Sequence, residues 1–168
     1  IALIGSWTWK ANSEGLKWFL EKVYPLLPPD VAIHVAGSGA QWLVGLYENL
    51  RYVGFVDDAQ TFLRGAKVVA IPTLSGGGIQ IKTLDAIASG SRIVATPLAL
   101  RGIEDYPETI SVAGTDEQFA ALLRSAVTTP ASVVASAKAV EWTVLRNQNF
   151  RRDLAESIGE LLRGRAIA

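Results

Sequence analysis

Between Pro72 and Asp85 the chain reads Pro-Thr-Leu-Ser-Gly-Gly-Gly-Ile-Gln-Ile-Lys-Thr-Leu-Asp, and this run concentrates the residues best suited to chemistry. Gly76, Gly77 and Gly78 carry no side chain to block a close ligand, and they tolerate the positive-φ backbone of tight loops. They open into a segment with helical spacing. The first N–H groups of a helix lack intrahelical partners, and together with the helix dipole they favour an anion such as a diphosphate. Lys82, in the first turn of a helix expected over Ile79–Ser89, adds a full positive charge. Asp85 follows at i+3 and shares a face with Lys82. A carboxylate there can accept hydrogen bonds from two neighbouring sugar hydroxyls, as an acidic residue does for ribose in dinucleotide folds. The same residues also fit a flexible turn followed by a solvated Lys82–Asp85 pair on a surface helix. Residue types alone leave both readings open.

Other candidates are weaker. Gly37-Ser38-Gly39 begins like a dinucleotide fingerprint, but Trp42 stands where the third small residue should be, so a strand-to-helix turn is expected instead. His34 lies mid-strand among apolar residues and reads as a packed or hydrogen-bonded structural histidine. Asp57-Asp58 has no further clustered acids and reads as a helix N-cap rather than a metal site. Trp18, on a helix, reads as packing, whereas Trp7 and Trp9 fall in a loop that could meet a ligand or a partner.

The elements that must position these residues follow from an alternation of short apolar runs, turns and helical spacing, which reads as βαβ units around a parallel sheet. Strands are expected at Ala2–Gly5, Val31–Ala36, Tyr52–Phe55, Lys67–Ile71, Arg92–Ala95 and Thr109–Val112; their near-continuous apolar character suits burial on both faces. Leu16, Phe19, Leu20, Val23 and Leu27 follow helical spacing until Pro25, Pro28 and Pro29. Ala40–Tyr47 and Ala59–Arg64 are shorter helix candidates. Thr115 and Gln118 form a capping box. Ala131–Trp142 is expected to be helical, and Asn149 to cap a separate last helix carrying Phe150, Leu154, Ile158 and Leu161 on one face. The expected fold is α/β: one Rossmann-like, doubly wound parallel sheet of about six strands. In the common strand order the first and fourth strands are neighbours and winding reverses between them, so a ligand belongs at their carboxyl ends, between the loops Gly5–Asn12 and Pro72–Gly78.

Composition narrows the classes. The chain has 168 residues, 49% hydrophobic and 19% charged, enough for one cored domain over 1–168. Sixteen Lys plus Arg balance sixteen Asp plus Glu, which argues against a nucleic-acid binder. The absence of cysteine excludes disulfides, thiolate metal sites and cysteine nucleophiles, and a single histidine excludes a His-based metal cluster. No apolar run is long enough to span a membrane. No signal peptide is visible. A chain without methionine that opens on Ile1 is expected to be part of a longer protein, with at least an N-terminal part outside it.

The run Gly77–Asp85, continued through Thr96, resembles the donor-binding half of the GT-B glycosyltransferases, in particular the retaining group 1 family that uses nucleotide-sugars. Gly5-Ser6-Trp7 with Asn12-Ser13-Glu14-Gly15 is similar to the first strand, loop and helix of that half, and Val53–Asp58 to its third strand and following turn. The resemblance covers roughly Ile1 to Thr129. In that family an E-x7-E motif places one acid on donor sugar hydroxyls and a second on ribose. Asp85 matches the second acid with a shorter arm, and Gly77 stands at the first. The family often has an arginine after the first strand and a lysine at the start of the first helix, both on the diphosphate; here Ser6 and Glu14 or its neighbours stand there. The sequence is nearer a variant pattern, G-G-G-I-x-I-K-x-L-E. That likeness implies that the amides of Gly78 and Ile79, with Lys82, take the diphosphate, and that Val56 and its neighbours flank the base.

The resemblance thus implies a donor site of Gly5, Ser6, Val56, Gly76, Gly77, Gly78, Ile79, Lys82 and Asp85, with no metal and no cofactor beyond the nucleoside diphosphate sugar itself. It implies transfer of a sugar to an acceptor held by an N-terminal domain of the same protein, which also carries the catalytic residues, in a cytoplasmic enzyme of polysaccharide or glycoconjugate biosynthesis. Segments 131–163 are expected to pack on this domain or on the other half, and any peripheral membrane association is left to that other half. Two alternatives share the fold: a nucleotide-sugar epimerase, and a non-catalytic module for protein or glycan recognition.

Overall fold

The structure, a computed structural model, describes residues 1–165. Six strands, β1 (Ala2–Ile4), β2 (Ile33–Ala36), β3 (Leu50–Gly54), β4 (Val69–Ile71), β5 (Ile93–Ala95) and β6 (Ile110–Val112), form one sheet in the order β3-β2-β1-β4-β5-β6. Every pairing is parallel. Neighbouring residues on the strands feed opposite layers. Ala70 and Val94 enter one apolar cluster with Leu3, Leu16, Phe19 and Phe119, whereas Val69, Ile71, Ile93 and Ala95 enter a second with Leu63, Ile87 and Ala139. This two-faced burial is why the strands carry no polar alternation.

Five helices cover the faces: α1 (Lys10–Trp18), α2 (Ala59–Arg64), α3 (Ile81–Ala88), α4 (Asp116–Thr128) and α5 (Val133–Arg165). α1 and α4 meet edge to face through Trp18 and Phe119, ring centroids 5.4 Å apart. Asp58 caps α2 by accepting from the Thr61 amide, and Thr115 caps α4 by accepting from the Gln118 amide, both as expected.

The departures have local causes. The helix beginning at Lys10 loosens into a π-helical turn over Phe19–Val23 and tightens to a 3-10 turn over Tyr24–Leu26, where Pro25 ends regular hydrogen bonding. The helix expected over Ala40–Tyr47 shrinks to one 3-10 turn, Gln41–Leu43, because Gly45 adopts φ +78°. α3 begins at Ile81 rather than Ile79, since Gln80 is extended. The two C-terminal helices expected on either side of Asn149 are a single helix, α5: no glycine or proline interrupts 133–158, so Asn149 is an interior residue and not a cap. The first turns of α5 pack on α3, with Ala139 fully buried and Trp142 against the second cluster. Phe150, Leu154, Ile158 and Leu161 face solvent. Among the described residues no single helix is both long and apolar enough to cross a membrane.

Candidate functional site at the β1–β4 switch point

β1 lies against β4, with Ala2 opposite Val69, so the winding reverses where expected. Two loops leave the carboxyl ends of these strands, Gly5–Trp9 and Pro72–Gln80. Their separation is set by glycine. A methyl group on Gly15 would lie 2.0 Å from the Pro72 carbonyl oxygen, so α1 can rest on the chain leaving β4 only because position 15 has no side chain. Gly37, at φ +104°, plays the same part for the first loop: a methyl there would meet the Gly5 carbonyl oxygen at 1.8 Å. The Gly37–Gly39 turn is therefore a structural close approach, as its failed fingerprint suggests. Trp7 locks the same loop; it is buried and its indole N–H donates to the Ala36 carbonyl at 2.8 Å. Trp9 remains exposed at the crevice.

The glycine loop is an open shelf. Gly77 and Gly78 are exposed, and a methyl on either would meet nothing within 4 Å. Gly76 adopts φ +119° and backs onto Ala11 of α1. Arg101, in the turn after β5, donates from Nη1 to the Gly76 carbonyl at 2.7 Å, and Gly102 beside it packs on Ile79. α3 then starts without a side-chain cap and with no acid in its first turn; the Thr83 amide donates to the Gln80 carbonyl at 2.9 Å, and the amides of Ile81 and Lys82 before it are left for an outside acceptor.

Lys82 stands in that first turn and is largely buried. Its ammonium donates to Asn12 Oδ1 at 2.7 Å, and the Asn12 amide donates to the Ser6 carbonyl at 2.9 Å. These two bonds tie α3 to α1, and α1 to the loop after β1, across the switch point. Among the described residues no salt bridge joins Lys82 to Asp85 or to any other acid. The solvated-pair reading therefore does not describe this helix. Burial pushes the Lys82 ammonium down to about 8. A cation at a helix N-terminus also opposes the dipole. Two unfavourable terms thus act on one charge, and an anion against it relieves both. Asp85, half-buried one turn on, has its carboxyl raised by burial, while its backbone carbonyl accepts from Gln60 at 3.1 Å.

Of the residues singled out from sequence, Gly5, Ser6, Gly76, Gly77, Gly78, Ile79, Lys82 and Asp85 fall on these two loops and the helix that follows. Val56 follows β3, on the same carboxyl edge, but β2 and β1 lie between that strand and β4, which the glycine loop follows. His34, expected to be packed or hydrogen-bonded, is exposed on β2 instead. Sequence reasoning missed Asn12 and Arg101 as supports. Both act through contacts across 70 and 25 residues of chain, which no local pattern reveals. A concavity of about 1070 Å³ opens at the other, amino-terminal edge of the sheet, lined by Ile1, His34, Phe62, Lys67 and Arg124 among others. The carboxyl edge is nonetheless the edge suited to an anion, because the crossover helices of a parallel sheet present their N-termini there.

Residues 1–129 match the family model of group 1 glycosyl transferases. The chain belongs to that family. It is 32% identical over 139 residues to a phosphatidyl-myo-inositol mannosyltransferase of Mycobacterium leprae (strain TN), covering 73% of this chain and 37% of that protein. The fold is shared with WaaG, a glycosyltransferase involved in lipopolysaccharide biosynthesis (TM-score 0.63, 19% identity, 84% of this chain and 42% of that one). It is also shared with Anabaena HepE, solved in complex with UDP and glucose (TM-score 0.67, 15% identity, 94% of this chain and 47% of that one). The fold is thus that of one half of a GT-B glycosyltransferase. This group 1 chain spans about a third of the length of the curated relatives it matches.

Proposed function

We propose that this group 1 glycosyl transferase chain is the donor-binding half of an enzyme that takes a sugar from a nucleoside diphosphate sugar and gives it, with retention of anomeric configuration, to an acceptor on an N-terminal domain. The observation that carries this is Lys82, a largely buried cation with a neutral partner, beside a glycine shelf and an uncapped helix. Loss of a diphosphate leaving group develops negative charge, and donors already in place stabilise that charge without reorganisation. The amides of Gly78 and Ile79, the N-terminus of α3 and Lys82 would supply this stabilisation without a metal. Asp85 would accept from the ribose hydroxyls, and Gly5 and Ser6 would line the opposite wall, with Val56 toward the base. The complexes of HepE with UDP and with UDP-glucose support the choice of ligand class.

Titration of the full-length protein with UDP, GDP and ADP tests this reading: one of them should bind, and Lys82→Met should weaken it. Turnover should be unaffected by EDTA and should require the domain that holds the acceptor, so this chain alone should bind weakly and transfer nothing. Failure of all three nucleotides to bind the full-length protein would overturn the proposal.

A further inference from the structure

The peptide joining Gly76 to Gly77 has nothing local to fix its direction. Turning it over changes ψ of Gly76 and φ of Gly77, and glycine populates either sign of φ. The space over Gly77 is open, since a methyl there would meet nothing within 4 Å. The direction is set from outside. Arg101, which follows the 3-10 turn Pro97–Leu100, donates from Nη1 to the Gly76 carbonyl at 2.7 Å. The Gly78 carbonyl, by contrast, accepts only a long bond of 3.4 Å from Gln80 Nε2. Among the described residues Arg101 forms no salt bridge, so no acid competes with the Gly76 carbonyl for its guanidinium.

The direction has a chemical consequence. In a trans peptide the C=O and the following N–H point opposite ways, and among the described residues no peptide is cis. β5 lies on the far side of β4 from β1, so Arg101, coming from the β5 side, draws the Gly76 carbonyl away from the β1–β4 crevice. The N–H of Gly77 is left to the crevice, and among the described residues it donates to no backbone carbonyl. Turned over, the same peptide would present its carbonyl oxygen there and repel a diphosphate. Resting on the donor reading, the geometry points to Arg101 as a positioning residue: by holding the Gly76 carbonyl, it aims the Gly77 amide at the diphosphate, as a further donor beside the amides of Gly78 and Ile79. A donor fixed in advance stabilises the charge of a departing diphosphate without reorganising at the moment of transfer.

The test uses the full-length protein and whichever of UDP, GDP and ADP it binds. Glycine labelled isotopically at both the carbonyl carbon and the amide nitrogen singles out Gly–Gly peptides, which in this chain are Gly76–Gly77 and Gly77–Gly78. The signal that survives Gly78→Ala and is lost in Gly77→Ala belongs to the Gly77 amide. In the wild type, nucleotide should shift that amide proton. Arg101→Met should weaken the nucleotide about tenfold, the scale of one hydrogen bond to a charged group, and should shrink the shift even at saturating nucleotide. Arg101→Lys keeps a charged donor on a long arm and should recover part of both. A Gly77 amide that ignores bound nucleotide in the wild type, or an Arg101→Met protein that binds as tightly as the wild type, would overturn the role of Arg101 and leave the donor reading standing. Lost affinity with the full Gly77 shift at saturation would put the guanidinium on the ligand itself, and would also overturn the positioning role. A wild-type protein that binds none of the three nucleotides would overturn both readings. Thermal melts of each variant separate a lost contact from a lost fold.

Discussion

Lys82 and Asn12 meet at 2.7 Å across the switch point, joining the helix after β4 to the helix after β1. The bond gives the Lys82 ammonium one neutral acceptor and does not neutralise it. Burial therefore brings this lysine to about 8 instead of its ordinary 10.5. Between those values the unfolded chain holds the proton that the folded chain has lost, so stability rises with pH through this window, and at pH 7 the buried charge is a net cost. Lys82→Met should remove that cost along with one charged hydrogen bond, leaving the variant about 1 kcal/mol more stable at pH 7. A bound diphosphate should draw the proton back. Affinity then declines as pH rises above 8, with proton uptake in that range visible when calorimetry is repeated in buffers of different ionisation enthalpy. A variant that loses both stability and binding would place Lys82 in the scaffold instead.

Asp85 carries the ribose assignment, and its removal makes a sharper prediction than lost affinity alone. Asp85→Ala should weaken nucleoside diphosphate binding by about 1–3 kcal/mol. A 2′-deoxynucleoside diphosphate should lose part of the same energy with the wild-type protein and little more with the variant, because the two changes delete one interaction. Additive losses would remove Asp85 from the ribose. Burial raises its carboxyl above the ordinary carboxylate range. Affinity should therefore begin to fall on acidification before an unperturbed aspartate would protonate.

The sheet was legible because its information is local and repetitive. Val68, Val69, Ala70 and Ile71 are apolar in succession because both layers need them, and the same holds at Ile93–Ala95. The switch point follows from strand order, and Gly76–Asp85 from residue type. What stayed hidden depends on chain segments meeting in space. Nothing near Arg101 in sequence says that it grips the Gly76 carbonyl. Asn12 looks like any polar residue in a first helical turn until Lys82 arrives from seventy residues away.

Asn149 shows the opposite failure, a local signal overridden by its surroundings. Its residue type suits an N-cap, but a cap requires the preceding chain to leave the helix, and the chain from Val133 onward does not. Asn149→Ala should therefore not cost the ~1 kcal/mol typical of losing a cap. It should stabilise α5 by up to about 0.6 kcal/mol, the difference in helix propensity at an exposed interior site. Circular dichroism melts of the two proteins decide the sign.

Gly15 and Gly77 separate the glycines that build the site from those that leave it open. Gly15→Ala puts a methyl 2.0 Å from the Pro72 carbonyl oxygen, backbone against backbone, with no flexible side chain to yield. α1 must then lift from the chain leaving β4, disturbing the floor of the crevice and the Lys82–Asn12 bond together; a loss of about 3 kcal/mol or more in denaturant melts is expected, in the range of severe overpacking. Gly77→Ala adds the same methyl where nothing lies within 4 Å and where φ is not positive, so the fold should be unaffected and the loop slightly stiffened. If the open space over Gly77 is where the ligand lies, that variant should keep its melting temperature and bind the nucleoside diphosphate sugar several-fold less tightly. An affinity untouched by Gly77→Ala would mean that the ligand does not pass over the shelf, and the donor site would have to be sought elsewhere along the carboxyl edge.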